Sequence, residues 1–170
     1  GLRVLLIDGD LRRPRLAPML GIEPGLGLAE LAAGRVGADD VLRADPLTSV
    51  RLLPGSAVSG PPTGLLGDGG IPAVLKAARA AYDLVVVDTA PLLPVADAAR
   101  MALVADRVLL VARWGKTGRE TAAQAVQQLG VARERVAGVV LSRVDLRRHR
   151  AWSSADAAVA YGRYRAYYAS

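Results

Sequence analysis

The stretch Val4-Leu5-Leu6-Ile7-Asp8-Gly9-Asp10-Leu11-Arg12-Arg13-Pro14 decides the fold. Four apolar residues run into two carboxylates one residue apart, and arginines follow directly. A short, continuously apolar run that ends in turn-forming residues predicts a strand buried on both faces. Similar runs recur at 84–87, 108–112 and 136–141, and the first of these also ends in an aspartate, Asp88. Strands are therefore expected over 2–8, 83–88, 107–112 and 136–141, with a shorter one over 50–53.

The segments between them carry helix signals. Pro72 in a first turn costs little, because its missing N–H has no intrahelical partner there, and a helix is expected over 71–82. Thr117-Gly118-Arg119-Glu120 has the spacing of a capping box, which predicts a helix from 117 to about 129 with Gly130 as its stop. Shorter helices are expected over 14–20, 28–33, 38–42 and 95–104. Apolar strands separated by helices imply an α/β, doubly wound fold, with a mainly parallel sheet and helices on both faces. No internal repeat and no second domain are evident.

Composition narrows the function classes. The 170 residues are 52% hydrophobic, which suits a globular domain with a single core. No apolar run approaches the roughly 20 residues that a membrane-spanning helix needs. The chain has no cysteine, so disulfides and thiolate metal sites are excluded and a cytoplasmic setting is the expectation. The formal charge of +6 comes from arginine scattered over most of the length, with Lys76 and Lys116 the lysines. Two clusters are tighter, Arg12, Arg13 and Arg15, and Arg143, Arg147, Arg148 and Arg150. Neither is accompanied by a recognition helix or stacking aromatics, and no nucleic-acid partner is expected.

Ligands of open parallel sheets bind beyond the carboxyl ends of the strands. If the strands ending in Asp8 and Asp88 are neighbours, Asp8, Asp10 and Asp88 converge there. Carboxylates so placed repel one another unless a cation sits among them, and Mg²⁺, a hard ion bound by one or two carboxylates plus phosphate, suits them. Arg12 and Arg13 could then offset phosphate charge or pair with the carboxylates. Gly115-Lys116-Thr117 imitates the end of a phosphate loop. The loop needs G-x-x-x-x-G-K-[ST], however, and Leu110 stands where its first glycine belongs. Lys116 is therefore read as an ordinary loop lysine and Thr117 as a helix cap.

These motifs together resemble the cytoplasmic domain of the bacterial tyrosine autokinases of capsule and exopolysaccharide biosynthesis, which are deviant-Walker P-loop ATPases. The family's second phosphate-site motif, three apolar residues then D-x-D-x-R, is matched by residues 5–12, LLIDGDLR. Its Walker B motif, three apolar residues then D-x-x-P, is matched by residues 85–91, VVVDTAP. PGLGLAELAAG (24–34), LLPGSAVSGPPTGLL (52–66), PVADA (94–98), VLLVARWGKT (108–117) and GVVLSRVD (138–145) follow in the family's order.

The resemblance implies an ATP- and Mg²⁺-dependent protein-tyrosine autokinase. Asp8 would orient the acceptor hydroxyl and take its proton. Asp10 and Asp88 would hold Mg²⁺, Arg12 would anchor the loop or a phosphate, and Ser142 and Arg143 would meet the nucleotide. Tyr161, Tyr164, Tyr167 and Tyr168, four of the five tyrosines, would be phosphoacceptors presented to neighbouring subunits. The residues by themselves also allow a helix over 155–168 with 161, 164 and 168 on one apolar face. Residues 1–152 would form the kinase core and 153–170 a tyrosine-rich tail.

Implied partners are further copies in a homo-oligomer, a membrane-embedded activator or co-polymerase segment, and a cognate tyrosine phosphatase. The domain is expected at the inner face of the cell membrane, held by an upstream segment. The Walker A loop and its strand are expected upstream too, which makes this chain a truncated domain with little activity alone. Serine at 142, where the family usually has asparagine, offers one hydroxyl rather than an amide to the base. Gly64 replaces the glutamate usual before Leu65-Leu66. The alternatives are a septum-positioning or partition-type ATPase of the same superfamily, and a non-catalytic regulatory module.

Overall fold

The computed structural model describes residues 1–145 except Pro61 and Thr63. Its strands are β1 (Val4–Gly9), β2 (Arg43–Ala44), β3 (Arg51–Leu53), β4 (Leu84–Thr89), β5 (Val108–Arg113) and β6 (Val136–Ser142). Its helices are α1 (Leu16–Met19), α2 (Leu28–Ala32), α3 (Ala38–Val41), α4 (Ile71–Ala81), α5 (Asp97–Ala102) and α6 (Arg119–Gln128), and a 3₁₀ segment, Gly130–Arg135, follows α6.

The strands form two sheets. One has the order β2-β3-β1-β4, and β5 pairs with β6 in the other. β1 runs parallel to both β3 and β4, β5 runs parallel to β6, and only β2 is antiparallel to its neighbour. Parallel neighbours need crossovers, and the helices between them supply these. In α4, Ile71, Leu75 and Ala78 fall on one face by helical periodicity and are buried in the main core, where α4 packs on α2 and β4. The main core gathers Leu5, Ile7, Leu11, Leu28, Val41, Leu53 and Met101 with that face. A smaller core packs Ala102, Leu129 and Ala132 against Val108, Leu110 and Val136. Successive residues of α5, Met101 and Ala102, thus belong to different cores, so this helix joins the two halves.

The structure corrects several sequence expectations. Thr117 does not cap α6. The N-cap is Gly118, and the Thr117 hydroxyl instead accepts the Arg113 N–H at 3.0 Å, closing the turn after β5. The stop expected at Gly130 is met: α6 ends at Gln128 with Leu129 as its C-cap, and Gly130, at φ of 57°, opens a separate 3₁₀ segment. Strand β2 was not expected. Its two residues carry no apolar pattern and are ordered by pairing Arg43 with Leu52 and Ala44 with Arg51. The strands also lie in two sheets where one was expected, and one side of β4, β5 and β6 is open among the described residues. Leu109 is 63% and Val111 70% exposed there.

At the opposite rim from the aspartates, Arg3 and Asp83 tie the starts of β1 and β4 together. Asp83 accepts the Arg3 N–H at 2.8 Å and two guanidinium contacts at 2.8 and 3.3 Å. The Arg3 hydrogen bonds hold the Asp83 carboxyl down at about 2.

Candidate functional site

The parallel pairing of β1 with β4 sets Asp8 directly across from Asp88, and Gly9 across from Thr89. The two aspartate-ended strands are therefore neighbours at their carboxyl ends, where the topology of a parallel sheet puts its ligands. Gly9 is required by that closeness. A Cβ there would lie 2.7 Å from the Asp88 carbonyl oxygen and 3.0 Å from Met101 Sδ.

Asp8 turns inward. It is 1% exposed, and its Oδ1 accepts the Asp10 N–H at 3.2 Å. Its Oδ2 accepts the N–H groups of Arg15 and Leu16 at 2.8 and 2.9 Å, at the start of α1. The loop after β3 closes over it. A Cβ on Gly55 would stand 3.0 Å from Asp8 Cγ and 2.7 Å from Pro14 Cβ. Asp10 repeats the motif one step on, with Oδ1 accepting the N–H groups of Arg12 and Arg13 at 3.1 and 3.0 Å. Short side chains that accept backbone N–H groups two and three residues on are the usual device for fixing such a turn. Leu11 is buried, and its carbonyl accepts the Val58 N–H at 3.0 Å, pinning the loop to the segment after β3.

Asp88 keeps solvent access at the end of β4, yet its carboxyl is pushed up, first by partial loss of hydration and then by the charges of Asp8 and Asp10. Asp88 therefore lies within electrostatic reach of Asp8 and Asp10. The three do not form a preassembled three-carboxylate cage, and among the described residues no group of three acidic or imidazole side chains is arranged to hold an ion. The donor set that remains suits Mg²⁺: two hard carboxylates, Asp10 and Asp88, whose mutual repulsion a divalent cation would relieve, with waters and phosphate completing the shell.

Arg12 does not stand free. Its Nε donates to Asp97 Oδ2 at 3.0 Å, and Asp97 is 7% exposed. Arg13 and Arg15 are exposed. Ser142 and Arg143 lie at the end of β6 in the other sheet. The Ser142 hydroxyl donates to the Ala112 carbonyl at 3.3 Å, and Arg143 adopts φ of 55°, an uncommon value for a residue with a side chain. Lys116 sits in the turn after β5, where its N–H and that of Thr117 both reach the Arg113 carbonyl, the geometry of an ordinary turn. Tyr161, Tyr164, Tyr167 and Tyr168, with Arg147, Arg148 and Arg150, lie outside the described residues.

Asp97 and Gly55 were missed as site residues in the sequence, although the motifs containing them were noticed. An aspartate that opens a helix looks like a helix-terminal charge. Only a partner 85 positions away gives it another part.

No family model matches the chain. The succinoglycan biosynthesis transport protein ExoP of Rhizobium meliloti is 34% identical over 172 aligned positions, covering 99% of this chain and 22% of that protein. The tyrosine-protein kinase YwqD of Bacillus subtilis is 32% identical over 149 positions, covering 88% of this chain and 63% of that protein. The chain thus spans less than two thirds of either relative. Among solved structures, the kinase domain of the Escherichia coli tyrosine kinase ETK superposes with a TM-score of 0.77 at 31% identity, over 83% of this chain and 55% of that one. The VpsO kinase domain gives 0.77 at 29% identity, over 85% of this chain and 71% of that one. The Pyrococcus furiosus cell division ATPase MinD gives 0.67 at 25% identity, over 85% and 62%.

Proposed function

We propose that the chain is part of a bacterial tyrosine kinase, an ATP- and Mg²⁺-dependent protein-tyrosine autokinase that regulates exopolysaccharide or capsule polymerisation and export, a reading supported by its likeness to the transport protein and kinases above. The observation that carries the proposal is the register of Asp8 against Asp88, which brings the LLIDGDLR and VVVD segments to one rim of one sheet. ATP is the phosphoryl donor in this reading. Asp10 and Asp88 would hold Mg²⁺, which would supply neutralisation of the charge on the phosphate. Ser142 and Arg143 meet the nucleotide from β6.

We assign Asp8 the holding of the loop rather than the removal of a proton. Three N–H donors already engage its carboxylate, filling Oδ2 and leaving one acceptor site on Oδ1, and the loop at Gly55 packs against it, which favours holding the loop over reaching a hydroxyl. Phosphoryl transfer asks mainly for positioning and charge stabilisation, and a phenol with a pKa of about 10 gives up its proton more readily than an aliphatic hydroxyl. The acceptors are Tyr161, Tyr164, Tyr167 and Tyr168, modified by neighbouring copies in a homo-oligomer. A membrane-embedded activator and a tyrosine phosphatase act on the same protein at the inner face of the membrane. No helix among the described residues is long and apolar enough to cross a membrane.

Incubating the full-length protein with ATP and Mg²⁺ and mapping the label tests this function. Phosphate on one or more of the four tyrosines is the expected result. Label confined to serine or threonine would overturn the proposal.

A further inference from the structure

Arg12 and Asp97 form an ion pair between the aspartate loop and the helix that joins the two cores. The Nε–Oδ2 distance is 3.0 Å, with Asp97 almost wholly buried and the Arg12 side chain 41% exposed. A guanidinium has five N–H donors in a rigid plane. The contact with Asp97 uses the one on Nε, and the terminal nitrogens make no hydrogen bond among the described residues. One bond to a buried carboxylate fixes the plane of the group while leaving its outer edge to a further acceptor, and that edge matches two oxygens of a phosphate.

The surrounding contacts make the pair a coupling rather than a surface ornament. Arg12 lies next to the carboxylate expected to hold Mg²⁺, and its own N–H is bound by Asp10. At the other end, α5 presses on the same loop, since Met101 would meet a Cβ on Gly9 at 3.0 Å. Loop and helix thus touch at two points, one apolar and one charged. The charged one sets the side chain.

We propose that Asp97 is a positioning residue: it holds Arg12 through Nε so that the terminal nitrogens stay available to a nucleotide phosphate and Asp10 keeps its place in the turn. This rests on the kinase assignment for its phosphate, but the coupling of loop to helix does not. Asp97 itself touches no reactant and works only through Arg12.

Two measurements separate these claims. Amide hydrogen exchange on the 170-residue chain reads the turn directly, without nucleotide. In D97A, exchange of the Arg12 and Arg13 N–H groups quickens by about tenfold; R12A does the same, and the double variant adds nothing to either. Wild-type exchange in D97A, or additive effects in the double variant, would overturn the coupling. In the full-length protein, D97A lowers kcat for autophosphorylation by about tenfold and moves the KM for ATP by less than about threefold. D97N, which keeps an oxygen acceptor for Nε–H, recovers most of that loss. A purely structural role predicts no rescue by D97N and an effect that persists in the R12A background. Should D97A fail to fold, R12K, which cannot place an N–H where Nε lies, is expected to show the same exchange and kcat changes. Absence of tyrosine phosphorylation in the wild-type protein would remove the kinase assignment and leave the exchange result standing on its own.

Discussion

Replacing Asp8 separates a carboxylate that holds a loop from one that removes protons. Its two oxygens accept three backbone N–H groups at 2.8 to 3.2 Å, and the side chain is 1% exposed. A hydrogen bond to an ionised acceptor contributes about 1.5–3 kcal/mol, and a buried donor left without a partner costs about 1–3 kcal/mol. In D8N the shape is kept. The amide oxygen is best turned toward the N–H groups of Arg15 and Leu16, which sets its NH₂ against the N–H of Asp10, donor facing donor. One bond is lost, and the Asp10 N–H and the new NH₂ are both stranded, for about 3 kcal/mol. D8A loses all three acceptors, and water entering the small void recovers part of the loss, which leaves about 4 kcal/mol. Against a typical domain stability of about 5–15 kcal/mol, both changes are large. Urea unfolding followed by far-ultraviolet circular dichroism measures them, with the m-value expected to stay constant. A D8N variant within about 0.5 kcal/mol of the wild type would refute the loop-holding assignment, because a group engaged only in proton transfer can be neutralised without cost to the fold.

G55A drives a Cβ to 2.7 Å from Pro14 Cβ and 3.0 Å from Asp8 Cγ, and should cost about 1–3 kcal/mol in the same unfolding assay. D10N and D88N each lower tyrosine autophosphorylation of the full-length protein by about a hundredfold and raise the Mg²⁺ concentration for half-activity; an unchanged Mg²⁺ dependence would remove them from the metal site. Because Asp83 is held down at about 2 by Arg3, below the usual carboxylate value of about 4, its pairing stabilises the fold fully above the unfolded value and fades as pH falls through the folded one. D83N should therefore flatten the acid limb of the stability profile between about pH 4 and pH 2, and leave its neutral-to-alkaline shape unchanged. The 170 residues contain no G-x-x-x-x-G-K-[ST] loop, and the chain alone is expected to bind ATP no tighter than about 100 μM by calorimetry.

The sequence made β1, β4, β5 and β6 legible because their apolar runs have no other stable destination than a sheet interior, and each boundary fell within two residues of its expected place. Asp8 and Asp88 could be picked out on the same ground, since a carboxylate cannot follow such a run into the core unpaired. The sequence did not say which partner each polar group would choose. Thr117, which its spacing marked as a helix cap, accepts the Arg113 N–H at the end of the strand. Asp8 had proton-accepting and ion-facing roles open to it, and in the fold it engages three N–H groups. Arg12 had phosphate and carboxylate roles open and took Asp97, 85 positions along the chain. Burying an apolar side chain is non-directional, so its pattern survives in one dimension. Hydrogen bonds act over about 3 Å and in fixed directions, so their partners exist only once the chain has folded. The division explains why Arg12 and Asp97 form the pair on which function should turn. The apolar pattern places β1 and α5 with ample tolerance, and the charged contact converts that placement into the orientation of one guanidinium, a finer adjustment than packing alone supplies.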